Sequence, residues 1–145
     1  MFKKIYIHNY KCFQNFEFKL DDERSLLLLG KNGTGKSSLL NILNILRNIA
    51  NNENRLDVLF NEKDLNNLKN PIELDFTLDI QDVEYRYKLS AIYSERLYKF
   101  KIQAEELFVD DKIIYSRDEK GCVSLDGKEF IIDWYSVALP VLSPY

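Results

Sequence analysis

Cysteine and histidine are nearly absent from this 145-residue chain: two cysteines, Cys12 and Cys122, and one histidine, His8. Two thiols without C-x-x-C spacing cannot frame a disulfide scaffold, and with a single imidazole the chain lacks the ligands of a zinc site. The cysteines read as plain thiols, and His8 as a packed or surface side chain. Long apolar runs are missing too. No stretch approaches the roughly 18 residues of a membrane span, and Met1-Phe2-Lys3-Lys4 leads into strand-like alternation, not a signal-peptide core. The expectation is a cytoplasmic protein with no membrane partner. Glycine and proline are scarce, at five and three. No Gly/Ser linker, fixed-period repeat or low-complexity tract is visible beyond an asparagine-rich stretch. What is present is enough apolar material, 46% of residues with 13% aromatic, to bury one core.

Charge is unevenly placed. The net value is −3, yet residues 1–60 carry 9 basic and 6 acidic side chains, and residues 61–145 carry 11 and 17. The acidic remainder argues against broad nonspecific nucleic-acid binding, while a local basic patch stays open.

The scarce glycines gather in one place. Gly30-Lys31-Asn32-Gly33-Thr34-Gly35-Lys36-Ser37 spells G-x-x-x-x-G-K-S, after the apolar run Leu26 to Leu29 and before a helical pattern. Glycines let successive backbone N–H groups turn inward around a phosphate. Lys36 can reach β- and γ-phosphates, Ser37 offers a hydroxyl to magnesium, Ser38 follows, and the next helix aims its N-terminus at the anion. The cofactors expected are ATP and Mg2+. A glycine-rich turn that binds nothing is the plain alternative.

Ile5 and Ile7, then Phe16, Phe18 and Leu20, alternate around a turn from Asn9 to Asn15 and predict two strands. Leu26 to Leu29, apolar on both faces, predicts a central buried strand feeding the loop. Leu39, Ile42, Leu43, Leu46 and Ile49 form a helical stripe opposite Ser37, Asn41, Asn44 and Asn48. Residues 50–71 read as a polar loop with short helical pieces. From Ile72 the period becomes two: Ile72 to Ile80 and Val83 to Leu89 predict a hairpin across Gln81-Asp82. Further strands are expected at Phe100 to Ala104, Leu107 to Val109, Ile113 to Tyr115, Val123 to Leu125 and Phe130 to Ile132. The fold class expected is α/β, a P-loop NTPase core with an antiparallel β-rich subdomain. It is a single lobe over 1–145, divided into a nucleotide-binding core (1–50), a polar connection (51–70) and a β-subdomain (71–145).

With those residues in view, the N-terminal block resembles the ATP-binding-cassette-type ATPases of the RecF, SMC and OLD group, including the related AAA-type ATPases of bacterial phage-defence systems. The shared pattern is Ile5-Tyr6-Ile7, Asn9-Tyr10-Lys11-Cys12-Phe13, Phe16-Glu17-Phe18 and Leu29 through Ser37-Ser38-Leu39-Leu40, covering roughly the first 50 residues. The resemblance implies that Lys11 approaches the phosphates, that the nearby aromatic packs by the base, and that Asn32 positions the attacking water or the γ-phosphate. A solvated Lys11 and a turn-capping Asn32 are the structural alternatives.

A complete member of that group also has an apolar strand ending in Asp-Glu and a Ser-Gly signature. No signature sequence occurs in this chain. Asp110 and Asp111, after Glu106-Leu107-Phe108-Val109, read either as magnesium and water ligands or, preferably, as the turn before Ile113. The group's metal-sensing glutamine corresponds either to Gln103 or to Gln81, each equally readable as an ordinary polar residue. The resemblance therefore implies the N-terminal lobe of an ATPase whose turnover needs further sequence. As a fragment or split protein it would pair head to head, with a nuclease or other effector and nucleic acid as partners, in DNA repair or phage defence. The alternatives are a self-contained kinase or GTPase-like switch using Asp110 for magnesium, and a non-hydrolysing nucleotide-gated interaction module.

Overall fold

The structure, a computed structural model, describes residues 1–20, 29–31, 33 and 35–142. Among these, eight strands form one sheet: β1 (Phe2–His8), β2 (Phe16–Lys19), β3 (Ile72–Ile80), β4 (Val83–Ser94), β5 (Lys99–Val109), β6 (Lys112–Arg117), β7 (Cys122–Leu125) and β8 (Lys128–Ile131). Their order is β2-β1-β3-β4-β5-β6-β7-β8, and each neighbouring pair is antiparallel. Three α-helices, α1 (Lys36–Ala50), α2 (Leu56–Leu59) and α3 (Leu139–Leu142), and a short 3-10 helix, Glu62–Asp64, accompany the sheet among the described residues.

The described residues bear out the expected antiparallel β-rich part, and every strand pair among them is antiparallel. The predicted central strand falls at Leu26 to Leu29, of which residues 26–28 lie outside the described residues; Leu29 itself is 83% exposed. The two N-terminal strands instead join the later ones directly, because β1 pairs with β3 from Phe2↔Leu78 to His8↔Glu73.

Register decides which face is buried. The rows Ile5↔Phe76↔Tyr87 and Ile7↔Leu74↔Leu89 line one face. The period-two pattern that predicted the strands is the cause, since alternate side chains share a face. Against these rows pack Leu39, Ile42, Ile45 and Ile49 of α1. Leu43 and Leu46, expected in the stripe, sit at its margin, while Ile45, outside the expected set, is buried. Each such buried Leu or Ile contributes about 1.5–3 kcal/mol relative to exposure. The opposite face is polar, with Arg86 donating twice to Asp75 at 2.9 and 2.6 Å.

Three hairpins turn through residue pairs with positive φ: Gln81-Asp82 (55°, 62°), Asp110-Asp111 (46°, 62°) and Asp126-Gly127 (47°, 75°). Only the last pair has the favoured composition for such turns. The other two are braced by side chains: Asp79 Oδ1 accepts from Asp82 N at 3.2 Å, and Asp110 Oδ1 accepts from Glu84 N at 2.9 Å.

The segment 132–142 folds back over the same face as α1. Ile102 N donates to Trp134 O, Leu56 N to Tyr135 O and Val137 N to Asn54 O. Beneath it lies a charged pair with no exposed surface, Glu105 and Arg117, whose Nη1 and Oε2 are 3.6 Å apart. Glu105 also accepts from Tyr87 OH and Tyr115 OH, each at 2.9 Å, and from the N–H groups of Ala138 and Leu139. Arg117 donates to the carbonyls of Ser136, Ile132 and Asp133. Burial, then the adjacent Glu105 charge, pushes both tyrosine hydroxyls above their ordinary pKa, so they stay neutral donors. Among the described residues no helix is long and apolar enough to cross a membrane.

Candidate functional site

Gly33 and Gly35 hold φ values of +87° and +92°, a region that residues with a Cβ resist. At Gly35 space is restricted as well. A Cβ there would lie 3.0 Å from Cys12 Sγ and 3.2 Å from the Phe13 ring. Gly35→Ala is therefore expected to lower stability by about 1–2 kcal/mol through backbone strain alone, measurable by urea denaturation. At Gly33 the same position opens onto empty space, with nothing within 4 Å.

Lys36 opens α1 and bends back over the loop, its Nζ donating to the carbonyls of Gly30 and Lys31. The loop thus wraps an ammonium group. The first turn of α1 carries no acidic residue and no side-chain cap, and the first bond that closes it runs from Leu39 N to Gly35 O at 2.9 Å. The N–H groups of the first turn therefore keep their partial positive charge for an anion. Ser37 is exposed and Ser38 half-buried at this end; Asn32 and Thr34 lie outside the described residues. Beside the loop a cavity of about 250 Å³ is lined by Phe13, Phe16, Phe18, Leu29, Lys36 and Leu39. Phe13 stacks on Phe16 with centroids 4.6 Å apart, and Phe16 on Phe18 at 6.4 Å. This is an apolar wall next to a cationic cradle.

The turn from Asn9 to Phe13 meets the loop through Cys12 and Phe13, and it is fixed from the other side. Asn9 has no exposed surface and a φ of +58°, which asparagine tolerates better than most residues. Its Nδ2 donates to the carbonyls of Asn67 (2.8 Å) and Asn70 (2.7 Å), and its Oδ1 accepts from Asn67 N at 2.8 Å. Lys11 N donates to Asp64 O at 2.6 Å, and Asn66 Nδ2 donates to Lys11 O at 3.1 Å. Lys11 Nζ lies 3.6 Å from Asp64 Oδ1. Burial, followed by the Asp64 charge and opposed by a hydrogen bond with Asn41 of α1, pushes the Tyr10 hydroxyl up to about 12.

The other candidates stand elsewhere. Asp110 N donates to Glu84 O, Glu84 pairs with Asp79, and Asp79 N donates to Met1 O. The Asp110-Asp111 turn therefore lies at the Met1 end of β1, whereas Cys12 and Phe13 follow its His8 end. A seven-residue strand separates them by about 20 Å. The reading of Asp110 and Asp111 as magnesium and water ligands is thus not supported by their placement. Gln81 sits in the β3–β4 turn at that same far end. Gln103 occupies the irregularity in the β4–β5 register and accepts from Ser90 Oγ at 3.2 Å, three strands from β1 and hence about 14 Å across the sheet. His8 Nδ1 accepts from Asn15 N at 3.2 Å, a structural bond within the turn. Cys12 and Cys122 are free thiols, and no group of three or more metal-ligating side chains occurs among the described residues.

Asp64, Asn66, Asn67 and Asn70 gave no chemical signal in the sequence beyond an asparagine-rich polar stretch. Their common feature is contact with a turn nearly sixty residues away. Asn9 is buried with a positive φ and satisfies its amide on that stretch, a pairing that no local sequence pattern marks.

A family model described as AAA ATPase domain matches residues 1–137. An uncharacterized protein of Methanocaldococcus jannaschii is 32% identical over 108 residues, covering 72% of this chain and 12% of that protein. The chain thus spans about an eighth of the length of the curated relative it matches.

Proposed function

Since this chain belongs to the AAA ATPase domain family, we propose that its residues Gly30 to Ser38 are the phosphate-binding loop for Mg-ATP, at the head of α1. The observation that carries this is the wrapping of Gly30 and Lys31 carbonyls around Lys36 Nζ at a helix end without acidic neighbours. A nucleotide's β- and γ-phosphates take the place in front of that ammonium and the first-turn N–H groups. Ser37 supplies its hydroxyl to magnesium, and the Phe13–Phe16–Phe18 wall receives the base. Asn32 and Thr34 complete the loop, with Lys11 approaching from the neighbouring turn.

Hydrolysis, in this reading, requires a carboxylate pair and a trans-acting signature from outside these 145 residues, with two heads closing around two nucleotides. That arrangement suits the ATPase part of a DNA-repair or phage-defence system that drives a nuclease or other effector on nucleic acid. A cytoplasmic setting fits the nucleotide supply and the two free thiols. The self-contained switch using Asp110 loses its support, because that residue stands at the far end of β1.

Titration calorimetry and a steady-state phosphate-release assay test the assignment. Mg-ATP is expected to bind at least about tenfold more tightly than AMP, since the charge-assisted contacts to the outer phosphates are worth about 1.5–3 kcal/mol each. The isolated chain is expected to release no phosphate above background. Equal affinity for ATP and AMP would remove the assignment, and turnover by the chain alone would restore a self-contained enzyme.

A further inference from the structure

Resting on the phosphate-loop reading above, we propose that Asp64 is a positioning residue for nucleotide binding: it pairs with the Lys11 ammonium and yields it to the outermost phosphate of a triphosphate. Three observations meet here. First, Lys11 directly precedes Cys12 and Phe13, whose side chains lie 3.0 and 3.2 Å from the position a Cβ would take at Gly35. Lys11 carries its ammonium on a flexible four-carbon stem, so rotation about that stem can turn its Nζ toward the loop. Second, the Lys11–Asp64 pair is loose, 3.6 Å apart with both side chains 32% exposed, and its Nζ is also 5.5 Å from the centre of the Tyr10 ring. An ion pair so hydrated exchanges partners at little cost. Third, the backbone around it is not loose. Lys11 N is bonded to Asp64 O, Lys11 O to Asn66 Nδ2, and Asn9 clamps Asn67 and Asn70. The ammonium can move while its turn stays put.

The arrangement gives Asp64 a defined competitor. A diphosphate ends short of Lys11 and leaves the pair intact; a triphosphate carries one more charged group outward and takes the lysine. Asp64 then sets how strongly the site prefers ATP over ADP. The sheet and the Asn9 clamp hold the turn so that this choice is made by the side chain alone.

The test is calorimetric titration of ATP and ADP into the wild-type chain, Asp64→Asn, Asp64→Glu, Lys11→Met and the Asp64→Asn/Lys11→Met double variant, with Lys36→Ala as reference. Asp64→Asn is expected to tighten ATP about three- to fivefold and ADP by no more than about twofold, the range set by a partly exposed pair. Asp64→Glu should return ATP affinity to within about twofold of wild type. In the Lys11→Met background the Asp64→Asn effect should vanish. The backbone bonds of residue 64 survive in every variant, so thermal midpoints should coincide. Equal tightening with and without Lys11, or an unchanged ATP affinity in Asp64→Asn while Lys36→Ala weakens binding at least about tenfold, overturns the role of Asp64 and leaves the phosphate loop standing. Absence of ATP binding in the wild type overturns both.

Discussion

Glu105→Ala is expected to destabilise the chain by about 3–5 kcal/mol, the usual result of removing one partner from a buried ion pair. Glu105 is fully buried and accepts from two tyrosine hydroxyls and two backbone N–H groups besides facing Arg117. The alanine variant leaves each of those donors without its acceptor and an unbalanced guanidinium in a dry environment, where burial already lowers the Arg117 pKa and Glu105 is the largest of the charges opposing that shift. Against a total stability of about 5–15 kcal/mol for an ordinary domain, the loss is a large fraction. Urea denaturation followed by circular dichroism measures it as a lower midpoint. Glu105→Gln, which keeps an acceptor oxygen at the same place, should lose less and remain folded if the alanine variant does not. A midpoint in Glu105→Ala within about 1 kcal/mol of wild type would show that the pair contributes little beyond its own desolvation. The expected damage is local first: Glu105 ties segment 132–142 to β5 through the N–H groups of Ala138 and Leu139, leaving the Ile102 N to Trp134 O bond as the remaining described backbone link to that strand, so protease cleavage within the segment should rise before global unfolding.

None of that cluster was visible in the sequence, and the reason is physical. Glu105 stands in a strand where alternation counts it as a polar position, yet the β4–β5 irregularity at Ser90/Ala91 turns it toward the buried face opposite Leu89. A one-residue slip reverses every side chain beyond it, and periodicity read within a short window cannot report the slip. Elements with an uninterrupted period were legible: β1, β3, the first half of β4 and α1 follow from their apolar spacing. Hairpin β3–β4 was legible despite its Gln81-Asp82 turn, because the flanking alternation outweighs turn composition. The joining of β1 to β3 was not, since a pairing across more than sixty residues leaves no local trace. The same holds at the site. The glycine-rich string stands out because its residue types are contiguous, from Gly30 to Ser38, and its phosphate-binding role is a proposal. The clamp of Asn9 on Asn67 and Asn70 depends on two distant polar segments meeting, and polarity alone marks both as loops. Asp110 and Asp111 show the converse: contiguous, correctly typed carboxylates that the sheet carries to the wrong end of β1.

Lys36→Ala is expected to weaken Mg-ATP binding by about 10- to 150-fold, the equivalent of about 1.5–3 kcal/mol for a lost charge-assisted contact. Fold stability should change by less than about 1 kcal/mol, because Lys36 lies at a helix terminus with its ammonium toward the loop and not in the core. That separation of binding from stability is the informative part. The wild-type ammonium is held by the Gly30 and Lys31 carbonyls, so the loop itself positions the charge and limits the side-chain entropy lost on binding. Lys36→Arg keeps the charge but replaces a compact three-donor group by a wide planar fork that does not fit between two carbonyls of one loop. It should therefore recover only part of the affinity. Calorimetric titration of the three proteins, with urea midpoints measured beside them, distinguishes the cases: loss of affinity with unchanged midpoints places the lysine on phosphate, equal affinities remove the loop as the binding site, and a parallel fall in stability makes Lys36 a brace for Gly30 and Lys31 instead.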